Sequence, residues 1–124
     1  MNKTEWRRFL RGFRFAFRGI IDSLRSEINL RFHFGAMAAV LFFGVLLHIS
    51  GTEWMICVLC FALVIGSELI NTAIEHAVNL AAKGELSEHA RLAKDAAAGA
   101  VLFCAIAAAA VGLMIFLPKI LALL

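Results

Sequence analysis

Residues 53–82 read EWMICVLCFALVIGSELINTAIEHAVNLAA. From Trp54 to Gly66 the run carries no charge. Beyond it, Glu68, Asn71, Glu75 and Asn79 recur at spacings of three, four and four. At about 100° per residue these four share an arc of roughly 80° on one helix face. At ~1.5 Å per residue the stretch is long enough to cross a hydrocarbon core ~30 Å thick. It therefore reads as a membrane helix whose second half bears a polar stripe. A charge inside a membrane helix costs at least a few kcal/mol. The stripe should face a protein interior, water or a bound cation. The other reading is a polar seam that only fixes the packing of a bundle.

The rest of the chain is of the same kind. It has 124 residues, 62% hydrophobic and 17% charged, and a mean hydropathy of +0.87. Soluble domains run at about 45–50% apolar and about 25% charged. A chain this small cannot hide so much apolar surface in one soluble core. A soluble monomer, a disordered chain and a disulfide-stapled secreted module are excluded. A single proline favours long helices over a loop-rich fold. The expectation is an all-α integral membrane protein of one domain, residues 1–124.

Residues 1–31 form its surface segment, with an amphipathic helix over 5–30. Trp6, Phe9, Leu10, Phe13, Phe17, Ile20, Ile21, Leu24 and Ile28 follow the i, i+3, i+4, i+7 rule, with arginines opposite. Glu27 falls at the edge of the apolar face. It needs a partner, a metal ion or a base, unless the helix ends before it and leaves it in water. Membrane helices are expected over 32–49, 53–82 and 90–117. Thr52 is the expected N-cap of the second, and Trp54 its interface anchor. The polar loop is 83–89, and Pro118 and Lys119 end the third helix.

Eleven of the twelve Lys and Arg residues lie in 1–31 and 83–94. The positive-inside rule then puts the N-terminus and the 83–94 loop on the cytoplasmic side and the C-terminus outside. Basic residues among aromatics suit anionic lipid headgroups. No nucleic-acid motif is present, so no nucleic-acid partner is expected. No cleavable signal peptide is expected, because the charged start lacks a short apolar core. Cys57 and Cys60 make a CxxC inside an apolar run, without metal-ligand partners. They read as small residues packing in a membrane helix. Alanines at 96–98, 100 and 107–110 and Gly99 would let helices pack closely, and oligomerisation is expected.

Lys94 and Asp95 stand at the mouth of the third helix. They are expected to face the same interface as the carboxylate stripe. A lysine there binds phosphate as a point charge, or it snorkels to the interface. Carboxylates with water and phosphate oxygens suit Mg²⁺. Three carboxylates and one lysine suggest phosphoryl chemistry with a metal. Neither a GxxxxGK[ST] loop nor the HRD/DFG set of protein kinases is present.

The motifs ELINTAIE at 68–75, AKDAAAGAV at 93–101 and RSEIN at 25–29 resemble the prokaryotic diacylglycerol kinase family, which also contains the undecaprenol kinases. The resemblance covers nearly the whole chain. It implies a homotrimer in which each chain has a surface helix and three membrane helices, with active sites shared between subunits. It implies transfer of the γ-phosphate of Mg·ATP to a lipid alcohol at the cytoplasmic surface. By motif, Glu68 would be the general base and meet the lipid. Glu27 and Glu75 would hold Mg²⁺ and contact ATP. Asn71 would support that site. Lys94 and Asp95 would contact the nucleotide, as would Arg8 on the surface helix and Glu85 in the loop. Ala98 would line the lipid side.

Two positions depart from the family pattern. Asn79 stands where an aspartate is usual, which keeps the shape and loses the charge. Phe15 stands where one branch has an aromatic with a hydroxyl, so stacking on adenine would survive without a hydrogen bond. The run RFHF at 31–34, with His76 after Glu75, resembles the undecaprenol kinase branch more than the diacylglycerol kinase branch. The expected substrate is undecaprenol, with diacylglycerol as the alternative. A non-enzymatic trimeric scaffold or channel, and a kinase inactivated at Asn79, are the rival readings.

Overall fold

The computed structural model describes residues 1–85 and 87–124. The described residues form four helices: α1 (Lys3–Ser26), α2 (Ile28–Leu46), α3 (Gly51–Ala82) and α4 (Glu88–Leu121). No strand occurs among the described residues. Three of the helices, α2, α3 and α4, are long and apolar enough to cross a membrane. Large side chains stand outward on them, Phe103 at 79% exposure and Met114 at 76%. Only hydrocarbon accommodates such a surface on a lone chain, so this is a membrane protein.

Local chemistry sets the helix starts. The Asn2 side chain accepts from the amides of Thr4 (3.0 Å) and Glu5 (2.9 Å), and Glu5 accepts from the Asn2 amide in return. Ser50 and Glu53 form the same reciprocal capping box on α3. The cap is thus Ser50, two residues before the expected Thr52. Ser87 caps α4 by accepting from the Ala90 amide at 3.1 Å. Two residues with positive φ, Lys83 and Gly84, end α3. The 83–89 loop includes Leu86, which lies outside the described residues.

The boundaries correct four expectations. The surface helix does not run unbroken over 5–30. It stops at Ser26, and Glu27 takes extended backbone (φ −103°, ψ 114°) between α1 and α2. The Glu27 N–H still donates to the Ser23 carbonyl at 2.8 Å. The glutamate therefore sits at a corner, half-buried, rather than on a continuous apolar face. The first membrane helix begins at Ile28 and ends at Leu46, not 32–49, because His48 turns back with φ 52°. The second begins at Gly51 rather than residue 53, behind the Ser50 cap. The third runs from Glu88 to Leu121, through Pro118 and Lys119. Proline forfeits one N–H, a tolerable loss in a last turn.

At about 1.5 Å per residue, α3 and α4 approach 50 Å and so exceed the ~30 Å hydrocarbon core. Their ends must stand in the interface. They form the most extensive helix pair; α2 packs on α3, and α1 touches α2 and α3. The core is Ile49, Cys57 and Ile115, flanked by Val40, Trp54, Phe61, Val111 and Phe116. Trp54, the expected interface anchor, lays its indole on Gly44. A Cβ at Gly44 would fall 2.6 Å from its ring. All three cysteines are free, and Cys57 is buried, in keeping with a packing role. Lys119 pairs with Glu53 at 3.2 Å, tying the end of α4 to the start of α3.

Candidate functional site

The polar stripe of α3 changes character along the helix. Glu68 is 2% exposed and Thr72 is 6% exposed. Asn71 and Glu75 are half-buried, and Asn79 is exposed. Thr72 Oγ1 donates to the Glu68 carbonyl at 3.0 Å, so its hydroxyl is satisfied within the helix. The ionisable groups that act on Glu68 through space are His33, Glu27 and Glu75. Glu27 stands at the corner between α1 and α2, both of which touch α3, and so comes within electrostatic range of Glu68.

The other half of the site lies where α3 meets α4. Lys94 Nζ donates to Asn79 Oδ1 at 3.0 Å and stands 3.4 Å from Glu75 Oε1. One lysine is held by two positions of the stripe, one turn apart. Asp95 does not join it. Consecutive helix residues diverge by about 100°, so Asp95 leaves α4 on a different side of the cup from Lys94. Asp95 instead accepts from Arg91 at 2.8 Å, on an exposed side of α4.

A cavity of about 400 Å³ opens here, lined by Asn79, Glu85, Arg91, Lys94 and Asp95 among others. Arg8 and Phe15 do not line it. Both are exposed on α1, where Phe15 borders a separate groove among arginines. Ala98 is exposed one turn beyond Lys94. Among the described residues no three His, Cys, Asp or Glu side chains form a metal cage. The site in one chain is therefore two half-sites: a buried carboxylate group around Glu68, and a cationic cup at Lys94. Arg91 is the lining residue that sequence reasoning left without a role. Its signal was the spacing Glu88, Arg91, Asp95 on one helix face.

A second cavity, about 290 Å³, lies between α2, α3 and α4. His33, Val64, Phe61 and Gly112 are on its wall, and it is almost wholly apolar. Val64, on its wall, is one helical turn from Glu68.

The family model described as prokaryotic diacylglycerol kinase matches residues 14–116. The undecaprenol kinase of Bacillus subtilis (strain 168) is 45% identical over 121 residues, covering 96% of this chain and 96% of that protein. A diacylglycerol kinase of Synechocystis sp. (strain ATCC 27184 / PCC 6803 / Kazusa) is 37% identical over 127 aligned positions, covering all of this chain and 73% of that protein.

Proposed function

The chain belongs to the prokaryotic diacylglycerol kinase family, and we propose that it transfers the γ-phosphate of Mg·ATP to undecaprenol, making undecaprenyl phosphate. It is a lipid kinase of the membrane. The observation that carries the choice of lipid is the 45% identity to an undecaprenol kinase across nearly the full length of both chains. The second reading, diacylglycerol as acceptor, rests on the 37% relative.

In this reading Glu68 is the general base. It must reach the lipid hydroxyl within hydrogen-bond distance and take its proton as the oxygen attacks the γ-phosphorus and the bond from that phosphorus to the leaving ADP breaks. Its burial beside an apolar cavity suits a hydroxyl whose tail stays in hydrocarbon. Lys94 faces the phosphates, and Asn79 and Glu75 hold its ammonium in place. Phosphoryl transfer depends on such positioning and charge neutralisation more than on covalent chemistry.

Glu27 and Glu75 are the residues for Mg²⁺. Mg²⁺ commonly takes one or two carboxylates and completes its shell with water and phosphate oxygens. Two glutamates without a third ligand fit that habit better than they fit a protein cage. When bound, Mg²⁺ offsets charge on the phosphate oxygens. Asn71, between Glu68 and Glu75 on α3, supports the carboxylates. Asp95, Glu85, Arg8 and Phe15 belong to the nucleotide side, and Ala98 to the lipid side.

Arg8 and Phe15 stand apart from the cup within one chain, and a homotrimer would let another subunit's α1 supply them. The large outward apolar side chains of α2–α4 support such association. The surface helix α1 lies in the interface. Trp6 stacks on Phe9 and Phe9 meets Phe13 edge-on, with centroids 5.6 and 5.1 Å apart, and the three would enter the headgroup region. The basic bias of 1–31 and 83–94 supports a cytoplasmic side for both, in a bacterial plasma membrane. The whole chain is then one membrane kinase domain.

The test is transfer of label from γ-labelled Mg·ATP in mixed micelles, with undecaprenol and diacylglycerol offered separately. Wild type and Glu75→Gln are run side by side. Transfer to undecaprenol that is lost in the variant is the expected result. A preference for diacylglycerol overturns the choice of lipid. No transfer to either from folded protein overturns the activity.

A further inference from the structure

Arg91 enters no step above, yet it lines the α3/α4 cavity beside Lys94 and Asp95. Three of its nitrogens are engaged. Nε donates to Glu88 Oε2 at 3.1 Å, and Nη2 donates to the other oxygen of the same carboxylate. Nη1 donates to Asp95 Oδ2 at 2.8 Å. The Glu88 contact is a fork, the geometry in which an exposed ion pair holds its partner's orientation. Glu88 is itself the first residue of α4, behind the Ser87 cap. The guanidinium is thus anchored from the N-terminal side and presents its remaining edge to Asp95.

We infer that Arg91 is a positioning residue for the nucleotide: braced by Glu88, it fixes the Asp95 carboxylate at the rim of the cavity. The inference rests on the cavity being the nucleotide site. Asp95 is exposed on the wall of that cavity. Unbraced, its side chain would sample several rotamers, and binding would bear the cost of ordering it. With Oδ2 tied to Arg91, Oδ1 is left, and it has no hydrogen-bond partner among the described residues. A carboxylate oxygen accepts and repels phosphate. It suits an N–H or O–H of the nucleotide, the exocyclic amine of the base or a ribose hydroxyl. Lys94, turned toward Asn79, is left for the phosphates. Arg91 is not a second phosphate contact, because Glu88 and Asp95 already match its charge.

The test uses the full chain in mixed micelles. Wild type, Arg91→Ala, Arg91→Lys, Asp95→Asn and the Arg91→Ala/Asp95→Asn double variant are compared. KM for ATP, KM for the lipid and kcat are measured for each. Arg91→Ala should raise the KM for ATP by roughly three- to tenfold, the size of one side chain's ordering cost. The lipid KM should stay at its wild-type value, which also reports that the variant is folded. Arg91→Lys should recover part of the loss. In the Asp95→Asn background, Arg91→Ala should add nothing. Multiplying effects would mean that Arg91 touches the nucleotide itself, and would overturn the inference. So would a raised KM in Asp95→Asn beside an unchanged one in Arg91→Ala. If Asp95→Asn leaves the KM for ATP at wild type, the nucleotide cup is misassigned, and the inference falls with it.

Discussion

Gly44 and Trp54 offer the sharpest test of how α2 is held on α3. Replacing Gly44 with alanine would place a methyl 2.6 Å from Trp54 Cη2, 2.8 Å from Cζ2 and 3.1 Å from Ile49 Cδ1. Carbon atoms in contact sit about 3.5–4.0 Å apart, so the ring must retreat by about 1 Å. It has little room, because Trp54 packs against the cluster of Ile49, Cys57 and Ile115. Overpacking of this kind costs about 1–3 kcal/mol. Alanine in place of glycine in a helix returns about 1 kcal/mol. The net expectation is a loss of about 1 kcal/mol, read as a fall of a few degrees in the unfolding midpoint in detergent. The sign should then reverse in a Trp54→Leu background, where the methyl meets no ring and the helix gain opposes only the tight contact with the flexible end of Ile49. Thermal unfolding followed by circular dichroism on the four proteins reads both numbers. A rise on Gly44→Ala in the wild type, or an equal fall in both backgrounds, would refute the packing argument.

Three further outcomes are expected. Glu68→Gln should lower kcat by about 10²–10⁴, the usual worth of a general base, with the KM for ATP unchanged; a variant of normal activity would remove Glu68 from the chemistry. Asn79→Leu should raise the KM for ATP by about three- to tenfold, since it deletes the acceptor that holds Lys94 at 3.0 Å, a bond to a charged group worth about 1.5–3 kcal/mol when well shielded and less here. Asn79→Asp keeps an acceptor and should stay near wild type, whereas a large gain in activity would mark Asn79 as an inactivating change. At the other end, Lys119→Ala breaks only a partly exposed ion pair and should cost under about 1 kcal/mol. Glu53→Ala also removes half of the Ser50 capping box and should cost about 1–2 kcal/mol; equal midpoints for the two variants would deny the cap its role.

The helices and their membrane setting were legible in the sequence because both are local properties. Hydropathy over some twenty residues decides whether a segment enters hydrocarbon, and every backbone group there must be paired within a helix. The polar stripe from Glu68 to Asn79 was legible for the same reason, since a helix turns by a constant angle. Lys94 was found by charge at a helix mouth. The corner at Glu27 was not legible: nothing in RSEIN breaks a helix, and the bend is set by how α1 meets α2 and α3. The divergence of Lys94 and Asp95 was implicit in the helix angle, but which of them faces α3 was not. That depends on the rotation of α4 about its own axis, which its contact with α3 sets. Trp54 shows the limit most clearly. A tryptophan near a membrane helix end reads as an interface anchor, and only the approach of α2, at Gly44, decides that its ring also packs on a neighbouring helix. Sequence by itself determined which segments are helices, which of them lie in lipid, and which faces are polar. The tertiary structure decided which face meets which, because rotation and register between helices are fixed by contacts among side chains distant in the chain.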